Sequence, residues 1–240
     1  MIIIPARLHS TRLPNKLLLP LGGIPIIIRT ANIAKEVDST IVACDDEEIM
    51  RVCKRHQIDC ILTSKTHTSG TDRCAEVAQN LALDSSEVVI NLQGDEPFIE
   101  SSVIANLKQA MYNAICEDSA FMASCYKVVD LASVDDTNLV KVVINSDNFA
   151  MYFSRSKIPY NRDNVEVAYL GHIGIYAFSA KSLIEFCNFA KSPIEDIEKL
   201  EQLRALWYGK KILMIEVATN SIGIDTLRDY ENAQRLMENR

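Results

Sequence analysis

The chain has 240 residues, 48% of them apolar and 24% charged, with a formal net charge of −7. That length buries a real core in one large domain or two small ones, and the composition is that of an ordinary soluble protein. The acidic balance, with no run of Lys and Arg, argues against a nucleic-acid partner but leaves room for a small anion in a local basic pocket. The start, Met1-Ile2-Ile3-Ile4-Pro5, has no basic leader region, and no apolar stretch approaches the ~20 residues that span a bilayer. Seven cysteines without a C-x-x-C pair fit reduced thiols better than a disulfide framework or a zinc site, which makes the cytoplasm the expected location.

In chain order, residues 2–4 read as a strand, 24–37 as a helix after the Leu21-Gly22-Gly23 turn, 40–43 as a strand and 46–56 as an amphipathic helix. A strand at 59–62, a helix at 71–81, a strand at 88–92 and a helix at 101–112 continue the alternation. This rhythm predicts an α/β fold with a mostly parallel central sheet flanked by helices. The rhythm then breaks: 121–128, 139–144, 149–153 and 172–178 are strand-like, with Asn145-Ser146-Asp147-Asn148 as the turn of a hairpin. A helix at 193–208 follows, with Ser192, Pro193 and Glu195 as its capping box and Gly209 as its stop. Its apolar positions Ile194, Ile197, Leu200, Leu203 and Leu206 are expected to face the core. A strand at 212–217 and a helix at 227–238 close a single domain, 1–240, with a β-rich lobe inserted at about 120–178.

The most informative segment is Ile4-Pro5-Ala6-Arg7-Leu8-His9-Ser10-Thr11-Arg12-Leu13-Pro14-Asn15-Lys16. A strand runs into a loop with three cations, Arg7, Arg12 and Lys16, whose forks and point charge suit phosphate oxygens. Open α/β sheets bind ligands at the carboxyl ends of their strands; a basic surface loop is the plainer reading. The strand ending Gln93-Gly94-Asp95-Glu96-Pro97 brings acids to the same edge. Acids beside a phosphate repel it unless a divalent cation such as Mg2+ joins them; an acidic turn closed by Pro97 is the other reading. Asp225, in Gly223-Ile224-Asp225-Thr226, reads either as a second metal ligand or as the N-cap of the last helix. Ser69-Gly70-Thr71-Asp72-Arg73 can read the edge of a base or simply cap a helix. Arg155 suits a substrate carboxylate or a surface ion pair, and His172, Gly174 and Tyr176 share one face of a strand. Glu198, Glu201 and Gln202 make a polar helix face, most simply a solvated one. P-loop, dinucleotide and nucleophile-elbow motifs are absent.

Together these segments, with Tyr152-Phe153-Ser154-Arg155, Ile158-Pro159 and Glu201-Gln202-Leu203-Arg204 followed by Leu206-Trp207-Tyr208-Gly209, resemble the 3-deoxy-manno-octulosonate (Kdo) cytidylyltransferase family, in family order across nearly the whole chain. Asn15 stands where Gly is common and Phe178 where Tyr is common. The resemblance implies a nucleotide-diphosphosugar transferase fold, usually dimeric, and Mg2+-dependent transfer of CMP from CTP to Kdo for lipopolysaccharide inner-core synthesis. It implies catalytic roles for Arg7, Arg12, Lys16, Asp95 and Asp225, with both aspartates on Mg2+. CTP is expected at Ala6, Arg7, Arg12, Lys16, Ser69, Arg73 and Gln93, and Kdo at Gln93, Arg155, Arg162, His172, Tyr176, Glu201 and Gln202. No residue stands out as a general base. The alternatives are a CMP-sialic acid synthetase-like enzyme and a non-catalytic nucleotide-binding regulator; the retained Asp95 and Asp225 argue against the latter.

Overall fold

The computed structural model describes residues 1–10, 12–163 and 165–238, so Thr11 of the first motif lies outside the described residues. β1 (Ile2–Ala6) is buried along its length. After a 3-10 turn (Lys16–Leu18) come β2 (Pro20–Leu21) and β3 (Ile24–Pro25), joined by Gly22 and Gly23 at φ 56° and 77°, where glycine has no Cβ to clash. This small hairpin takes the first two residues of the expected helix, so α1 is Ile26–Lys35. β4 (Thr40–Cys44), α2 (Glu47–Arg55), β5 (Asp59–Leu62), α3 (Gly70–Asn80), β6 (Val88–Asn91) and α4 (Ser101–Cys116) follow the expected alternation. Next are β7 (Met122–Val129), β8 (Lys141–Ile144), β9 (Ala150–Ser154) and β10 (Tyr169–Ser179), then α5 (Ala180–Asn188), α6 (Pro193–Glu198), α7 (Leu203–Trp207), β11 (Ile212–Glu216) and α8 (Leu227–Glu238).

Three of these elements correct the sequence reading. α5 was not expected, although Ser179 and Ser182 form a capping box at its start. The expected helix 193–208 is broken in two: Lys199 turns left-handed (φ 53°, ψ 46°), ending α6, and α7 begins at Leu203. The break leaves Ile197 80% exposed instead of facing the core.

The central sheet has the order β11-β7-β10-β6-β1-β4-β5. Among the described strands of this path, only β10 runs against its neighbours. The carboxyl ends of β1, β4, β6 and β11 therefore share one edge. Alternation along β1 divides the core. Ile2 and Ile4 pack with Ile27 of α1, Ile49 of α2 and Val103 of α4. Ile3 packs on the other face with Val77 of α3 and Phe186 of α5. Burial on both faces is the reason β1 and β6 are apolar throughout except for Asn91.

β10 is paired so that Tyr176 lies opposite Asn91, the last residue of β6. Its first seven residues run past that end and pair instead with β7 and β8, with the register shifting between Ile173 and Tyr176. The segment 120–178 thus supplies two strands of the main sheet as well as the β8–β9 hairpin. The overhang of β10 stands as a wall at that edge of the sheet.

Candidate active site

A cavity of about 440 Å³ opens at that edge. Its walls are the β1 loop (Ala6, Arg7, Arg12, Lys16), the β5–α3 loop (His67 to Gly70), the β6 turn (Gln93 to Glu96), Gly174 of β10 and the β11–α8 loop (Gly223, Asp225). Lys16 is buried to 8% exposure, and its ammonium donates to both Asp95 Oδ2 and Asp225 Oδ1, the latter at 2.9 Å. Arg12 Nη2 donates to the same Asp225 oxygen at 3.0 Å. Burial opposes the Lys16 charge, but the two carboxylates outweigh it and hold its pKa above the ordinary value. Asp225 answers in kind: burial pushes its carboxyl up, while Lys16 and Arg12 prevail and hold it below. Burial and the adjacent Asp95 push Glu96 up to about 7. Two aspartate carboxylates converging on one cation are a hard-oxygen donor set that fits Mg2+ shared with phosphate oxygens. Asp225 is not the N-cap of α8. Thr226 and Asp229 exchange the bonds of a capping box, which leaves the Asp225 carboxylate to the cavity.

Arg73 is brought to the cavity margin but is not free to read a base. It is 5% exposed, with Nη1 on Thr63 Oγ1 (2.8 Å) and the Ser64 carbonyl (2.9 Å), and Nη2 on Asp45 Oδ2 (3.0 Å). Asp45 Oδ1 in turn accepts from Leu8 N–H at 3.0 Å. Arg73 therefore ties the β5–α3 loop to the β1 loop through Asp45, a residue that sequence reasoning missed. The signal was there: Asp45 directly follows β4, at the same edge of the sheet. Ser69 caps α3 in a box with Asp72, and Ser69 and Gly70 both line the cavity. His67, also missed, lines the cavity and is hydrogen-bonded to Glu76.

From Gln93 a relay leads away from the cations. Gln93 Nε2 donates to Asn91 Oδ1 (3.3 Å), Asn91 Nδ2 to Thr71 Oγ1 (3.0 Å), and Thr71 Oγ1 to Glu201 Oε2 (2.8 Å). The break at Lys199 turns Glu201 and Gln202 inward, so this stripe is not a solvated helix face. The Tyr176 hydroxyl donates to Gln202 Oε1 at 3.1 Å. Glu201 Oε1 and Gln202 Nε2 are buried without a hydrogen-bond partner among the described residues. Burial raises the pKa of Glu201, and burial together with Glu201 raises that of Tyr176.

Of the seven expected sugar ligands only Gln93 lines the cavity; Tyr176, Glu201 and Gln202 lie outside its lining, and the other three are placed elsewhere. His172, on β10 itself, is buried, its Nε2 2.8 Å from Ser124 Oγ and its ring packed against Phe153 and Tyr176; burial lowers its pKa to about 3, so the ring is neutral. Arg155 spends its guanidinium on the carbonyls of Glu198 (2.8 Å), Thr137 (2.9 Å) and Lys199 (3.5 Å), bracing the broken helix. Arg162 sits on an exposed loop and does not line the cavity.

Residues 1–212 match the family model described as cytidylyltransferase. A curated 3-deoxy-manno-octulosonate cytidylyltransferase from Wolinella succinogenes is 54% identical over 240 residues, covering 98% of each chain. One from Helicobacter pylori is 51% identical, covering 98% of this chain and 97% of its own. Among solved structures, a CMP:2-keto-3-deoxy-manno-octonic acid synthetase complexed with CTP superimposes with a TM-score of 0.92 at 36% identity, covering 99% of this chain and 98% of that one. With that likeness over its full length and a cavity of this design, the chain belongs to the 3-deoxy-manno-octulosonate cytidylyltransferase family of cytidylyltransferases.

Proposed function

We propose that the chain transfers CMP from CTP to Kdo, releasing pyrophosphate and activating the sugar for lipopolysaccharide inner-core assembly. The observation that carries this is the convergence of Lys16 and Arg12 with Asp95 and Asp225 in one cavity, beside Arg7. A sugar hydroxyl oxygen bonds to the α-phosphorus while the bond from that phosphorus to the bridging oxygen breaks. The hydroxyl proton is lost and the pyrophosphate keeps the electron pair. Arg7, Arg12 and Lys16 bind the triphosphate and offset the charge that grows on the leaving group. Asp95 and Asp225 would hold Mg2+, which supplies positive charge at the reacting phosphate and makes the attacking hydroxyl more acidic. The β5–α3 loop backbone takes the cytidine end. Gln93, on the cavity wall, takes the sugar together with Tyr176, Glu201 and Gln202, whose Nε2 has no hydrogen-bond partner among the described residues and suits a sugar hydroxyl.

Among the described residues no helix is long and apolar enough to cross a membrane. The free cysteines accord with a cytoplasmic enzyme. We further place a homodimer contact on the β8–β9 hairpin, where Met151 is 62% exposed; a chain that stays monomeric in light scattering at high concentration would remove that assignment. The activity test is pyrophosphate release with CTP, Mg2+ and Kdo, alongside sialic acid and ATP, GTP and UTP. Release that needs CTP, Kdo and metal together supports the reading, and Asp95→Asn should then lower turnover about 100-fold or more. Release with sialic acid instead reassigns the sugar pocket, and CTP binding without release would mean a regulator.

A further inference from the structure

We propose that Asp229, the fourth residue after Asp225 and outside the cavity, is a positioning residue that aims Asp225 at the divalent cation. The proposal rests on the reading of Asp225 as a metal ligand given above. A capping box requires the N3 carboxylate to accept from the N-cap backbone N–H, and here Asp229 Oδ2 does so from Thr226 at 2.8 Å, adding the Thr226 hydroxyl at 2.8 Å. The same oxygen also accepts from the Asp225 N–H at 3.2 Å. That third bond is not needed to cap the helix. It fixes the peptide plane from which the Asp225 side chain departs toward Lys16 and Arg12.

The other side of Asp225 is held independently. Ile224, fully buried, donates its N–H to the Asp95 carbonyl at 3.0 Å. The two carboxylates are thus set apart by backbone bonds, one to Asp95 itself and one to Asp229. Upstream, Ser221 Oγ bonds Glu96 (2.8 Å) and Thr219 Oγ1 bonds Glu100 (2.5 Å), so the β11–α8 loop is pinned along its length. Residues that orient a ligand from behind typically change metal affinity 10- to 100-fold when removed.

The test is Mn2+ binding to the CTP complex, read by electron paramagnetic resonance, in four variants. Asp229→Ala should weaken Mn2+ about 10-fold or more without changing CTP affinity in the absence of metal. Asp229→Asn retains an acceptor oxygen and should recover most of that loss. Tyr230→Phe removes the hydroxyl bond (2.6 Å) that docks α8 on the Pro20 carbonyl, and should leave Mn2+ affinity as in the wild type. If Asp225→Ala leaves Mn2+ affinity intact, the underlying metal-ligand reading fails and the proposal with it. If Asp225→Ala weakens Mn2+ but Asp229→Ala does not, the reading stands and the proposal falls. Equal losses in Asp229→Ala and Tyr230→Phe would show that Asp229 only holds the helix, which also overturns it.

Discussion

Asp45 is the residue whose removal tests the architecture of the site most directly. Asp45→Ala takes one of three partners from the Arg73 guanidinium, which is 5% exposed, and the acceptor of the Leu8 N–H. Breaking a buried pair by deleting one partner costs roughly 3–5 kcal/mol. Thr63 and Ser64 remain on Arg73, so the lower end, about 3 kcal/mol, applies. An unpaired Leu8 N–H adds about 1 kcal/mol. The sum, about 4 kcal/mol, is survivable for a domain of about 5–15 kcal/mol stability. Urea unfolding at 25 °C measures it, and pyrophosphate release measures KM for CTP, which should rise about tenfold as the β1 loop loosens. Replacing the pair, as in Asp45→Ala with Arg73→Met, should restore stability but not KM. A single variant within about 1 kcal/mol of wild type with unchanged KM for CTP would refute the reasoning.

Three other substitutions follow from the geometry. Arg155→Ala should leave KM for Kdo unchanged while lowering the urea midpoint, because its guanidinium braces carbonyls of residues 137, 198 and 199; a large rise in KM would restore it to the sugar site. Gly174→Ala meets nothing within 4 Å and should be neutral for stability, yet Gly174 lines the cavity and the added methyl should raise KM for substrate several-fold; unchanged kinetics would show that substrate does not approach this face of β10. His172 binds a proton near 6.5 when unfolded but only near 3 when folded, so acid favours the unfolded chain and stability falls from about pH 6.5 downward. Between pH 7 and pH 5 this group removes about 2 kcal/mol, and His172→Asn should flatten the slope by that amount; an unaltered slope would contradict the buried neutral ring.

Much of this was legible in the sequence because period and punctuation are local. Ile2–Ile4, Val88–Leu92 and the polar loops after them announce strands that deliver cations and acids to one edge, and the cavity is there. The break at Lys199 was not legible. No Gly or Pro marks it, the apolar spacing runs straight through Ile197, and the residues after the left-handed turn are held by tertiary bonds that Thr71 donates to Glu201 and Tyr176 donates to Gln202. Arg73 and Arg155 misled for a related reason. A guanidinium in a promising motif looks the same whether it meets a ligand or backbone carbonyls, and only the folded chain distinguishes them. Asp229 carries no motif beyond a capping box, and its third bond exists only in three dimensions.

The bond from Arg12 to Asp225 joins residues 213 positions apart. A triphosphate and cation held between them would strengthen a very long-range closure, and closing long loops is the slow part of building non-local sheets. A chain that has not yet placed β11 lacks Asp225 at the site and so grips substrate and cation more weakly. Substrate binding should slow unfolding in proportion to occupancy while leaving the folding rate nearly untouched, so nucleotide would protect the finished enzyme without helping it form.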